Sequence, residues 1–126
     1  INTKFHDAAS ALRIKNSRVQ DFYKVQLYQE NRHIEMDRCY LLTYWAIALS
    51  PRKISAQVYK GAPDWDSYGL WVEEPLTTSW QQYQHYFIGT DNADDARLGF
   101  NFGAETATVW LDDVVLQDVG DGDACP

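Results

Sequence analysis

Apolar and polar residues alternate along most of this chain, the period-two signature of strands that bury one face. In ARLGFNF (96–102), Leu98, Phe100 and Phe102 are interleaved with Arg97, Gly99 and Asn101. After the turn GAET, Val109 and Leu111 resume the apolar side in TVWLDDVVL. The stretch 96–117 therefore reads as a β-hairpin with one buried and one free face. The same alternation marks SALRIKN through Leu12 and Ile14, and DFYKVQLYQ through Tyr23, Val25 and Leu27. In CYLLTYWAIAL, Tyr40, Leu42, Tyr44, Ala46 and Ala48 share a side; in RKISAQVYKG, Ile54, Ala56 and Val58 do. Ser50-Pro51 is a turn signal between these two runs, which read as an antiparallel pair. LWVEE, ended by Pro75, and SWQQYQHYFIG, with Tyr83, His85 and Phe87 on one side, bring the count to eight short strands.

Such a series predicts an all-β fold, a β-sandwich or jelly roll of two antiparallel sheets. The expected organisation is a lead-in at 1–9, one sandwich over 10–117 and an acidic tail or linker at 118–126. The one obvious long loop is GAPDWDSYG, which holds Trp65 and Tyr68.

Composition agrees and narrows the partners. With 126 residues, 5 Trp, 8 Tyr, 5 Phe and a single Met, the chain is one aromatic-rich domain with enough length for a core. A formal charge of −7 argues against nucleic acid or an anionic membrane surface as partner, since both reward clustered Lys and Arg. No apolar run is long enough to cross a membrane as a helix. Ile1 reads as the start of an excised domain or processed form. Cys39 and Cys125 either form a disulfide that ties the tail to a strand, as in a secreted protein, or are one buried and one exposed thiol.

The order of motifs is what makes the chain recognisable. ALRI (11–14), VQLYQ (25–29), CYLLTYWAIA (39–48), ISAQV (54–58), SWQQYQHYF (79–87) and ARLGFNFG with VWLDDVVL (96–116) resemble successive strands of one group. That group is the carbohydrate-binding modules of the families-four, nine, sixteen and twenty-two type. The resemblance covers roughly residues 10–117. It implies a jelly-roll module that holds polysaccharide in a cleft across one sheet and is attached to a secreted glycoside hydrolase. It also implies a structural calcium away from the cleft, with Asp112 of WLDDV at the matching position. Two departures are visible: the family's Asn-Gly-x-Phe-Glu type opening strand is missing, and DAAS (7–10) stands where a Gly usually precedes the Ala-Leu pair.

Sugar recognition needs flat aromatic faces for the C–H faces of pyranose rings and planar polar groups for the hydroxyls. The outward face offers Gln26, Gln57, Arg97 and Asn101, with Tyr28 and Tyr59 beside them and Gly99 leaving floor space for a ring. Trp65, between Asp64 and Asp66, and Tyr68, at a loop-to-strand junction, are the expected stacking aromatics. Trp71 is ambiguous, while Trp45, Trp80 and Trp110 read as packing residues. Glu73 and Glu74 are adjacent on a strand, point to opposite faces and make no glycosidase pair. His6, His33 and His85 lack metal-ligand spacing with the cysteines.

The expectation is a secreted, monomeric, non-catalytic module that binds β-glucan, or else xylan or mannan, and accompanies a catalytic domain. The alternative is a structural or protein-interaction sandwich packed against such a domain.

Overall fold

A computed structural model describes residues 11–126, so the expected lead-in at 1–9 lies outside the described residues. Eight strands follow in order: β1 (Leu12–Ile14), β2 (Gln26–Ile34), β3 (Arg38–Ala48), β4 (Arg52–Tyr59), β5 (Ser67–Leu76), β6 (Gln81–Ile88), β7 (Ala93–Asn101) and β8 (Val109–Asp121). Short 3-10 turns lie at Phe22–Lys24 and Gly122–Ala124. The strands form two antiparallel four-stranded sheets, a back sheet β1-β8-β3-β6 and a front sheet β2-β7-β4-β5. This is the expected β-sandwich.

The core is built from the alternate positions. Leu42, Tyr44, Ala46, Val109 and Leu111 of the back sheet meet Ala56, Val58, Leu70, Leu98 and Phe100 of the front sheet. Every second residue then faces outward, which sets up the front face discussed below.

Two expected pairings are corrected. β7 pairs with β2 and β4, whereas β8 pairs with β1 and β3, so 96–117 is not a hairpin. β3 and β4 likewise lie in different sheets. Each connection carries the chain across the sandwich instead of back along the same sheet. The reason is that alternation specifies which face of a strand is buried but not which strand lies beside it.

The crossing at 102–108 is held by buried side chains. Arg52 is buried at the start of β4, where Nη1 donates to the carbonyls of Glu105 (2.8 Å) and Ala107 (2.9 Å). Its Nη2 donates to the carbonyl of Phe102 at 2.8 Å. Asn16 reaches the same loop from the other side, donating to the carbonyls of Gly103 (3.1 Å) and Glu105 (2.9 Å). Buried carbonyls without partners would cost about 1–3 kcal/mol each, so these two residues replace the ladder that a hairpin would have supplied.

The expected linker at 118–126 is also corrected. β8 continues to Asp121, with Tyr40 opposite Asp118 and Arg38 opposite Asp121. Arg38 fixes this end through Asp118 (2.9 Å) and Asp121 (3.1 Å), and holds the Asp118 carboxyl below its ordinary pKa. Beyond it, Cys125 is bonded to Cys39, Cα atoms 5.5 Å apart and 86 residues distant in sequence. By the loop-entropy model such a closure contributes about 4–5 kcal/mol. Charge composition suggested a solvated tail; one strand partner and one sulfur bond decide otherwise.

His85 faces inward as expected, and it meets a partner. Its Nε2 lies 2.5 Å from Oε1 of the buried Glu74, and the Tyr44 hydroxyl donates to that same oxygen at 2.7 Å. Burial and the neighbouring carboxylate push the Tyr44 hydroxyl pKa up. The cluster joins β5 of the front sheet to β3 and β6 of the back sheet.

Replacing Arg52 by Met keeps the apolar stem and removes the donors. Arg52→Met is expected to lower stability by on the order of 3 kcal/mol, read from the midpoint of a urea unfolding curve. An unchanged midpoint would show that the crossing loop does not depend on the guanidinium.

Candidate functional site

The outward face of the front sheet is ordered by strand register. One row across it runs Gln26, Asn101, Ser55, Glu73; the next runs Tyr28, Gly99, Gln57, Trp71. Arg97 sits opposite Tyr59 in the row beyond. The sequence placed Gln26, Tyr28, Gln57, Tyr59, Arg97 and Asn101 on one face, and the structure places all six there.

Gly99 has a different purpose from the one expected. A Cβ there would lie 2.9 Å from Cε1 of Tyr59, so the absent side chain leaves room for the Tyr59 ring and not for a ligand. Trp65 then stacks over Tyr59 with ring centroids 6.3 Å apart and planes at 29°. Tyr59 is thereby only 3% exposed, while Trp65 remains 55% exposed at the top of the pile. The loop carrying Trp65 is closed by Lys60 N–H to the Asp66 carbonyl (2.7 Å) and by a Lys60–Asp64 ion pair (2.8 Å).

Arg97 is enclosed by aromatic rings. Its guanidinium carbon lies 4.7 Å from the Tyr28 ring centre and 5.8 Å from that of Trp65, and its Nη2 is 3.2 Å from Glu30 Oε1. Cation–π contacts of this kind contribute about 0.5–1 kcal/mol each at exposed sites. Arg97 thus spaces and braces two aromatics, with its charge matched by Glu30.

The opposite wall comes from residues that the strand pattern misplaced. Extending the alternation of β2 upstream puts Tyr23 with Val25 and Leu27, but the chain turns in a 3-10 turn at Phe22–Lys24. Phe22 and Tyr23 are consequently exposed on the front face. The turn is anchored to the crossing loop: Gly103 N–H donates to the Phe22 carbonyl (3.0 Å) and Phe102 N–H to the Val25 carbonyl (2.8 Å). A Cβ on Gly103 would lie 2.2 Å from the Asp21 carbonyl oxygen, so only glycine allows this approach. Gln26 Nε2 donates to the Tyr23 carbonyl at 2.7 Å.

Between the two walls is a hollow of about 410 Å³, lined by Phe22, Tyr23, Gln26, Gln57, Tyr59 and Trp65. This volume lies within the range of small-molecule sites, roughly 300–1,000 Å³. Its makeup is apolar rings around two primary amides, each able to donate and accept. Three of the face's cations have nearby carboxylates, Lys60 with Asp64, Arg97 with Glu30, and Lys53 with Glu73 at 3.9 Å, while Lys24 lies over the Tyr23 ring with Nζ 5.5 Å from its centre.

One expected stacking residue is corrected. Tyr68 is only 7% exposed and belongs to the core cluster, because β5 starts at Ser67 and its parity puts Tyr68 with Leu70. By the same parity Trp71 points outward, a signal already present in the spacing of Leu70 and Val72. Asn101 lies beside the hollow, 3% exposed, its amide donating to Ser55 Oγ at 3.0 Å. Asp112 is remote from this face, on β8 of the back sheet, where its Oδ1 accepts the Asp113 N–H at 3.0 Å. Among the described residues, no three His, Cys, Asp or Glu side chains gather as for a metal ion.

The sequence matches no family model and no curated protein. Solved structures do match. One, described as "CBM4 structure and function", superimposes with a TM-score of 0.79 at 25% identity over 89% of this chain and 87% of the other. A second, the "BiXyn10A CBM1 APO" structure, gives 0.71 at 19% identity over 88% and 75%. The N-terminal cellulose-binding domain of Cellulomonas fimi β-1,4-glucanase C gives 0.67 at 24% identity over 84% and 75%. The chain is built as a carbohydrate-binding module, a two-sheet sandwich of the kind its motifs resemble.

The brace around Arg97 can be tested without a ligand. Arg97→Gln should change the near-UV circular dichroism of the Trp65–Tyr59 stack and cost about 1 kcal/mol of stability. A variant with the wild-type spectrum and stability would mean that Trp65 holds its place unaided.

Proposed function

We propose that this module binds neutral polysaccharide, with β-glucan the preferred ligand, in the hollow between Phe22–Tyr23 and Tyr59–Trp65. The observation that carries this reading is the pairing of exposed rings with the amides of Gln26 and Gln57 on one rigid sheet face. Rings of Trp65, Phe22 and Tyr23 cover the C–H faces of pyranoses, and the two amides take hydroxyls in donor–acceptor pairs. With carboxylates beside Lys60, Arg97 and Lys53, most of the positive charge on this face is matched, which suits an uncharged ligand.

The preference for glucan draws support from the name of the Cellulomonas domain, a cellulose-binding part of a β-1,4-glucanase. In this reading the module does no chemistry and holds an attached glycoside hydrolase against its substrate. Secretion fits with it, since a disulfide such as Cys39–Cys125 persists in oxidising surroundings. A shallow, wet site gives affinities on the order of micromolar to millimolar.

Affinity electrophoresis in gels containing β-glucan, laminarin, xylan or mannan tests the reading. Wild type should be retarded, β-glucan giving the largest effect, and Trp65→Ala should weaken binding about tenfold, equivalent to about 1.4 kcal/mol. Retardation should change little between low and high salt. Retardation by none of the four, or retardation that disappears with salt, would overturn it.

A further inference from the structure

We infer that this chain forms a two-fold dimer by pairing β6 with β6 of a second copy, which joins the two back sheets edge to edge. The outer N–H and C=O groups of an edge strand are a template for another strand. Soluble proteins block such edges with charge, proline, glycine or bulges. Among the described residues, three of the four edges of this sandwich are blocked. β2 carries Glu30 and Arg32, has Asn31 at φ 60° and shifts register twice against β7. β5 carries Glu73, Glu74 and Pro75, with Gly69 at φ 129°. β1 is three residues long with Arg13 at its centre, and β8 beside it goes on to Asp112 and Asp113.

β6 has none of these devices. Gln81–Ile88 reads QQYQHYFI, without Lys, Arg, Asp, Glu, Pro or Gly, and all eight residues pair with β3 with no register shift. His85 points inward to Glu74. Among the described residues no strand lies on the other side of β6. The ladder decides which residues face that side. Gly89 N–H donates to the Arg38 carbonyl of β3 at 2.9 Å. Successive residues of a strand direct their backbone groups to opposite sides, so residues 87, 85, 83 and 81 also bond to β3. Gln82, Gln84 and Tyr86 therefore turn their N–H and C=O groups to the open edge, and their side chains are exposed on the outer face of the back sheet. The open stretch ends at Ile88, whose carbonyl oxygen lies so close to Gly69 of β5 that no Cβ would fit there.

The open groups are self-complementary. In an antiparallel pair with Gln84 on the two-fold axis, Gln84 faces its own symmetry mate and Gln82 faces Tyr86 of the other copy. Each of the three then donates one N–H and accepts one at its C=O, so the edge is used up and the assembly closes at two. The side chains suit the same register: amide meets amide on the axis, amide meets ring beside it, and no like charges are opposed. That matters for a chain of formal charge −7, whose copies otherwise repel. Leu41, Thr43 and Trp45, the β3 partners of Tyr86, Gln84 and Gln82, continue the uncharged surface. This match of the strand to itself selects a second copy over an unrelated strand, and a dimer replaces the monomer expected above. Both front sheets then lie on one side of the joined back sheet, where two weak sites can engage one polysaccharide together. That consequence rests on the function proposed above; the pairing does not.

Sedimentation equilibrium between about 10 μM and about 1 mM, the range of weak interfaces, tests the pairing. The wild-type mass should rise toward twice the 14.5 kDa of one chain. Gln84→Lys and Gln84→Glu each oppose like charges on the axis and should weaken dimerisation about tenfold, whereas an equimolar mixture of the two should dimerise again. Amide hydrogen exchange at Gln82, Gln84 and Tyr86 should slow as the wild-type dimer fills. A wild type that stays at 14.5 kDa throughout would overturn the inference and leave the edge to a strand of another protein. A dimer that both single variants retain in full would lie on another surface and would overturn it too. Oligosaccharide titration of Gln84→Lys should match wild type, so loss of the dimer and loss of glucan binding are read separately.

Discussion

The shape of the proposed binding face rests on one buried guanidinium. Arg52 supplies donors to three carbonyls of the loop that carries the chain from β7 to β8. Its burial pushes its pKa down, but the guanidinium's ordinary value is so high that it remains a full set of donors at neutral pH. An arginine buried without acceptors would be costly; here the carbonyls of an irregular crossing and the charge satisfy each other. Asn16 completes the arrangement from the other side, itself oriented by Gln20 at 3.1 Å.

From that anchor the site follows outward. The fixed crossing loop presents Phe102 and Gly103 to the Phe22–Val25 segment, and the resulting 3-10 turn places Phe22 and Tyr23 at the edge of the face. The opposite wall has its own support, a pile of Gly99, Tyr59 and Trp65 with Arg97 wedged between Trp65 and Tyr28. The strands contribute only flat, evenly spaced amides. Specific shape comes from the loops at either end, which is the usual division of labour between a rigid sheet and its connections.

Much of this was legible in the sequence because period-two alternation reports sidedness directly. It put Leu98 and Phe100 in the core and Gln26, Gln57, Arg97 and Asn101 on the outer face, and the register agrees. It carried no information about neighbours, so the 96–117 segment looked like a hairpin when its strands belong to opposite sheets. It also misled where a strand was given the wrong start. Extending β2 upstream hid Phe22 and Tyr23, and starting β5 too late made Tyr68 a loop residue when it is a core one. Arg97 shows a different limit: its residue type suggested a hydroxyl ligand, yet the rings that enclose it come from β2 and from the loop before β5, far away in sequence.

The central claim is that the front face, and not the back sheet, is where this module meets its ligand. Side-chain amide and indole signals in a heteronuclear NMR titration with soluble β-glucan test it most directly. The account predicts shifts of the Gln26 and Gln57 side-chain amides and of the Trp65 indole N–H, with Trp110 on the back sheet unmoved. Shifts centred on Trp110 and its neighbours, with Gln26, Gln57 and Trp65 unchanged, would contradict it.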